Sequence, residues 1–189
     1  RQLLNGGLRL TILTDIIGQN EFLSLNISYA YHVELPEGKL GIGLSVGVIQ
    51  DEIDGANIIT QNPDPSIPTS VDKASGFDLG LGFFYNSEKL YVGLSSKHLN
   101  EPTIATTLDI IDIKRHYYLT SGYEHVLNEK LDLKPSLLIK TDGVTTTIDM
   151  TSLLEYNKKL WGGVTYRPST RAVLLLSLIH ISEPTRRYA

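Results

Sequence analysis

The chain has 189 residues, 17 Lys+Arg against 21 Asp+Glu, a formal charge of −4 and no cysteine. Disulfides, thiol nucleophiles and Cys-ligated metals are excluded, and a mildly acidic chain without a basic block gives no electrostatic case for nucleic acid. No apolar run reaches the roughly 18 residues of a membrane helix, which leaves open only a strand-built crossing.

In chain order, apolar residues fall on alternate positions almost throughout. Leu8, Leu10 and Ile12 alternate with Arg9 and Thr11; Leu23, Leu25, Ile27, Tyr29 and Tyr31 alternate with Ser24, Asn26, Ser28 and Ala30. Leu40, Ile42, Leu44, Val46 and Val48 then alternate with Gly41, Gly43, Ser45 and Gly47. Phe77 to Tyr85 and Leu90 to Leu94 repeat the pattern around the turn Asn86-Ser87-Glu88. Further strands are predicted at 115–126, 131–139, 145–156, 159–167 and from 170 to about 175. A period of two with two unlike faces is the mark of a β-strand between two environments. Pro135 lies on the apolar face and makes the 131–139 strand the least secure.

The connections alternate as well. Short polar turns (36–39, 86–89, 128–130, 157–159) follow every second strand, and both long connections (50–75 and 98–114) fall at the opposite end. Outer-membrane barrels have this asymmetry. The polar face is rich in Gly and Ser, where the water-exposed face of a soluble sandwich usually carries Lys, Glu and Thr. The predicted class is therefore all-β: an antiparallel up-and-down transmembrane β-barrel, with about ten strands of an incomplete barrel. Tyr29, Tyr31, Tyr85, Tyr156 and Tyr166 would form its interfacial girdles. The competing fold is a soluble antiparallel sandwich.

Motifs for chemistry are weak. "GLSVG" (43–47) matches the serine-hydrolase elbow, but Ser45 sits mid-strand and no helix follows. "GIGLSVG" lacks the spacing and the helix of a dinucleotide fingerprint. "DEIDG" (51–55) lacks the other ligands of a calcium loop and reads as solvated loop charge. The five His are dispersed, and Glu124 and Asp149 are a carboxylate pair of unknown separation. No catalytic residue, cofactor or metal is expected. The long connections are the candidate partner-binding loops, represented by Asn62, Pro63, Asp64 and Pro65 in the first and by His98, Asn100, Glu101, Pro102, Ile110 and Ile111 in the second. The apolar cluster of the second loop either folds over the barrel mouth or meets a partner.

The segments "LYVGLSSKHLNEPT", "RHYYLTSGYEHVL", "LKPSLLIK" and "IDMTSLLEYNKKLWGGVTYR", in this order, resemble the PorP/SprF family; "GLRLTILTDIIG" and "SYAYHVELPEGKLGIGLSVGV" are similar to its first hairpins. These are outer-membrane proteins of Bacteroidota associated with type IX secretion and gliding motility. The resemblance spans 7–175 and implies a non-enzymatic barrel in the bacterial outer membrane. Its partners would be outer-membrane lipid and type IX secretion components or a secreted adhesin. The alternative is a general porin passing small solutes. The chain opens on Arg1-Gln2-Leu3 without Met, and "LSLIHISEPTR" (176–186) resembles a translated sequencing adapter. The expectation is a fragment, with a partial barrel domain over 1–175 and a non-native tail over 176–189.

Overall fold

A computed structural model describes residues 5–55, 70–105, 110–168 and 171–178. The described residues form strands and turns, and no helix is long and apolar enough to cross a membrane. The strands are β1 (Gly6–Ile17), β2 (Asn20–Leu35), β3 (Gly38–Asp54), β4 (Val71–Asn86), β5 (Leu90–Lys97), β6 (Thr103–Ala105), β7 (Ile110–Asp112), β8 (His116–Tyr123), β9 (His125–Asn128), β10 (Leu131–Thr141), β11 (Thr146–Tyr156), β12 (Leu160–Arg167) and β13 (Arg171–Leu178). One sheet runs β1-β2-β3-β4-β5-β8-β10-β11-β12-β13, every neighbour antiparallel, with β9 extending the β8 side of β10. β6 and β7 form a separate hairpin. Along the main sheet each strand pairs with the next in sequence order, which is the up-and-down topology. β1 and β13 end the series without pairing to each other, so the barrel is an incomplete arc.

The two faces are inverted relative to a water-soluble protein. Among the described residues, the buried polar side chains are Ser24, Asp51, Asp72, Asp78, Asp132 and Asp149, whereas only Ile49 and Ile104 are buried large apolar ones. Leu8, Leu10, Leu44, Val46, Leu94, Met150 and Val164 are exposed on the opposite face. A soluble sandwich would bury that second set, because a soluble core gains its stability by removing apolar area from water. The alternation thus distinguishes a polar lumen from an apolar outside, as in membrane barrels. Lumen-facing side chains satisfy one another: within β2 Asn26 Nδ2 donates to Ser24 Oγ at 2.7 Å, and between β11 and β12 the Thr151 and Thr165 hydroxyls lie 2.8 Å apart.

Register also assembles the aromatic girdles. Tyr31, Tyr85, Tyr123 and Tyr156 share the apolar face at the short-turn end, opposite Ile42, Leu40, Leu90 and Leu131 respectively. Phe77, Tyr117 and Tyr166 mark the other end. Tyr29 lies one outward position inside the first girdle, and Phe77, Tyr117 and Tyr123 join beyond the sequence-based set.

Two local breaks have clear causes. Pro135 pairs with Ser152 of β11 without interruption, but on its other side the ladder stops between Ser136–Gly122 and Leu133–His125. Proline has no N–H to donate there, so the single strand expected at 115–126 divides into β8 and β9. At the tip between β11 and β12, Asn157 and Lys158 both take left-handed backbone, with φ of 51° and 56°.

Strand ends differ more from expectation. β3 continues to Asp54 and β4 already begins at Val71, so much of the connection drawn as 50–75 is strand. "DEIDG" is accordingly not solvated loop: Asp51 is buried on the lumen face, and Glu52 on the outer face pairs with Lys73 at 3.1 Å. The outer apolar series of β3 runs from Leu40 to Val48. At about 3.3 Å per residue and a tilt of about 40°, it rises on the order of 20–25 Å, the height of an outer-membrane apolar band. Above Val48 the outer face turns polar. Gln50 and Glu52 occupy it, opposite Ser75 and Lys73, while Ile49 and Ile53 turn inward beside the buried Asp51 and Asp72. β3 and β4 therefore rise past the apolar band as a wall that is polar outside and mixed inside.

Candidate functional site

The loop end has an uneven rim. β5 and β8 stop at Lys97 and His116, paired with each other, whereas β4 continues about ten residues beyond its last pairing with β5 at Leu81–Ser96. The chain leaving β5 is spent on covering that unpaired edge. Leu99 N–H donates to the Leu79 carbonyl at 2.9 Å, and Leu79 N–H donates to Asn100 Oδ1 at 3.0 Å. Asn100 Nδ2 in turn donates to the Phe77 carbonyl at 2.6 Å. One amide side chain thus supplies both the acceptor and the donor that a neighbouring strand would have offered. A sheet edge left open is a pairing liability, and an asparagine clamp closes this part of it.

His98 and Glu101 take left-handed backbone (φ 56° and 46°), and Glu101 N–H donates to the His98 carbonyl at 2.9 Å. This tight turn reverses the chain. It places His98 Nδ1 2.9 Å from Asp78 Oδ1 on the lumen face and sends Pro102 inward. β6 and β7 follow as a hairpin, closed at its base by Ile113 N–H donating to the Pro102 carbonyl and by Thr103 Oγ1 donating to Asp112 Oδ1.

Gly76 makes the seat for this hairpin. It faces the lumen opposite Ile49, and a Cβ added to it would lie 3.2 Å from Pro102 Cβ and 3.5 Å from Ile104 Cγ1. Ile104 is 1% exposed and Ile49 fully buried, the two apolar anchors of the described molecule. Burying Ile104 is worth about 1.5–3 kcal/mol, and each clamp hydrogen bond about 1 kcal/mol, so several weak contacts hold the hairpin together.

The candidate loop residues accordingly have distinct places. His98, Asn100 and Pro102 face β4 and are spent on anchoring; Glu101 is exposed and 4.0 Å from Arg115 Nε. Ile111 pairs with Ile104, and Ile110 lies on the outward side of the hairpin, 66% exposed. Asn62, Pro63, Asp64 and Pro65 lie outside the described residues. The sequence reading missed Gly76 and Asp78, the receiving half of the arrangement, and Ile104, which seats against Gly76; no motif marks them, because the first two are ordinary members of a strand alternation and Ile104 lies within a connection.

Other constellations give no chemistry. Ser45 lies flat in β3 between Ser28 and Gly80. Asp149 is held by Arg167, whose Nη2 donates to Oδ2 at 2.8 Å, and Glu124 lies at the other end of the sheet beside Lys134, so the carboxylate pair is not brought together. Glu124, Asp132 and Glu155 do converge, and Lys134 Nζ sits 2.6 Å from Glu155 and 3.5 Å from Glu124, so one ammonium already bridges two of the three carboxylates. His98 and His116 come within 5.8 Å, ring centre to ring centre, but His98 Nδ1 is turned to Asp78 and His116 Nδ1 to the Lys114 carbonyl.

A family model described as type IX secretion system membrane protein PorP/SprF matches residues 2–182. No curated protein and no solved structure matches the chain.

Proposed function

Because the chain belongs to the PorP/SprF family of type IX secretion outer-membrane proteins, we propose that it is a non-enzymatic barrel that helps deliver or attach secreted adhesins and gliding proteins at the cell surface. The Leu/Val/Tyr face takes outer-membrane lipid, and the loop end meets type IX components or cargo. The observation that carries this reading is the loop end itself. β2, β3 and β4 rise beyond the apolar band, and the second long connection is seated on β4 by Asn100, His98 and Ile104. Recognition is commonly carried by loops positioned on a rigid scaffold.

Within this reading the exposed side of the β6–β7 hairpin and the connection over 56–70 are the contact surface, while His98, Asn100 and Pro102 hold the hairpin in place. Removing residues 56–70, which leaves β4 whole, tests the idea in the cellular protein. Loss of surface adhesin with normal barrel assembly is the expected result; unchanged adhesin display in an assembled barrel would sink it.

A further inference from the structure

We propose that Glu124, Asp132 and Glu155 form a calcium site on the lumen side of the short-turn end, where the ion ties the β8–β9 junction to β10 and β11. One carboxylate oxygen of each lies within 4.8 Å of the other two, a spacing that a single ion with ligand oxygens at about 2.3–2.6 Å spans. Register drives the three together. Asp132 is directly opposite Glu155, a like-charged cross-strand pair that opposes the ladder unless something neutralises it. Glu124 reaches the same spot at the break facing Pro135, its N–H fixed on the Lys89 carbonyl at 2.7 Å. Lys134 pairs with Glu124 and Glu155 only, so three carboxylates against one ammonium leave two formal negative charges. Asp132 is nine-tenths buried and directs an oxygen into the cluster, yet it has neither a hydrogen bond nor an ion pair among the described residues. A buried carboxylate without a partner is costly, and a bound cation removes that cost. An all-carboxylate donor set suits a hard divalent ion. A cleft of about 310 Å³ lined by Glu124 and Lys134 admits the waters that would complete its shell.

The inference concerns the short-turn end and is independent of what the loop end engages. The chain carries its own reporter, because its single tryptophan, Trp161, is directly opposite Glu155 on the same face. Terbium, a luminescent stand-in for calcium, is added to the assembled cellular protein in detergent after stripping with EDTA, and its emission is excited through this indole. The expected result is saturable emission that calcium quenches by displacement, with terbium affinity several-fold weaker in Asp132→Asn. No saturable emission from the unmodified protein overturns the proposal, as does emission that calcium does not displace. Equal terbium affinity of Asp132→Asn and the unmodified protein overturns it too. Should Asp132→Asn fail to assemble, Lys134→Gln decides: removing the competing ammonium is expected to tighten calcium binding several-fold, and unchanged or weaker binding overturns the site.

Discussion

At Leu79 the β4 backbone has outrun its neighbour, and the amide of Asn100 takes the neighbour's place. Asn100→Ala would leave the Leu79 N–H and the Phe77 carbonyl without protein partners, a loss of about 1–3 kcal/mol. Faster hydrogen exchange at Leu79, with the β2–β3 ladder unchanged, is the expected outcome. Asn100→Asp keeps the acceptor for Leu79 and loses the donor to Phe77, so its effect should be intermediate. A second residue is sensitive to acid. The backbone N–H groups of Thr145 and Val144 hold the Asp142 carboxyl below its ordinary range at the β10–β11 turn. A depressed folded-state pKa gives stabilisation that is present above the unfolded value and lost as pH falls through the folded one. The turn should therefore be indifferent to pH near neutrality and loosen only below about pH 4, where free Asp protonates; exchange at Val144 and Thr145 reads this directly. At this scale little was legible in advance. Asn100 and His98 were visible as loop residues, but their duty depends on how far β4 overshoots β5, which no local pattern records.

Elements were legible where alternation and turn chemistry agreed. β11 and β12 lie close to their predicted bounds because polar turns flank a strict period of two, whereas β1 runs on to Ile17, beyond the expected alternation. β8 and β9 were merged in the sequence reading, since the cause of their separation, Pro135, sits in the partner strand. β3 and β4 were read too short for a different reason: beyond Val48 and Phe77 the outward positions turn polar, at Gln50, Glu52, Ser75 and Lys73, and the apolar series on that face ends while the strands go on. The tight tip between β11 and β12 offers an element-scale test. Lys158 pays the cost of left-handed backbone that glycine escapes, about 1 kcal/mol. Lys158→Gly should raise the urea midpoint of the barrel in detergent, less whatever glycine adds to unfolded-chain entropy. Comparison with Lys158→Ala, which keeps the left-handed cost, isolates the strain: a midpoint for Lys158→Gly no higher than for Lys158→Ala would show that the tip is not strained.

For the whole molecule, the inversion of inside and outside predicts opposite tolerance on adjacent rungs. Val46 faces outward near the middle of the apolar band, so Val46→Arg should cost about 2–4 kcal/mol of folding free energy in lipid. Ser95 faces the lumen beside a cleft of about 490 Å³ that also includes Gly41, Gly43 and Gly82. Ser95→Arg should assemble almost normally, and unfolding from vesicles with heat-modified gel mobility compares the two. The family was legible from ordered segments spread over most of the chain, whereas the anchoring of the loop end required the register.

The change of outer polarity above Val48 has a mechanical meaning as well. It is a waterline written into β3 and β4: sinking by one outward rung would submerge Gln50 and Ser75 and draw the Glu52–Lys73 pair to the surface, and rising by one would strand Phe77 above it. Both errors are penalised, so the barrel floats at one draught, fixed to within about two residues of strand or roughly 5 Å. The loop end is thereby held at a constant height above the membrane.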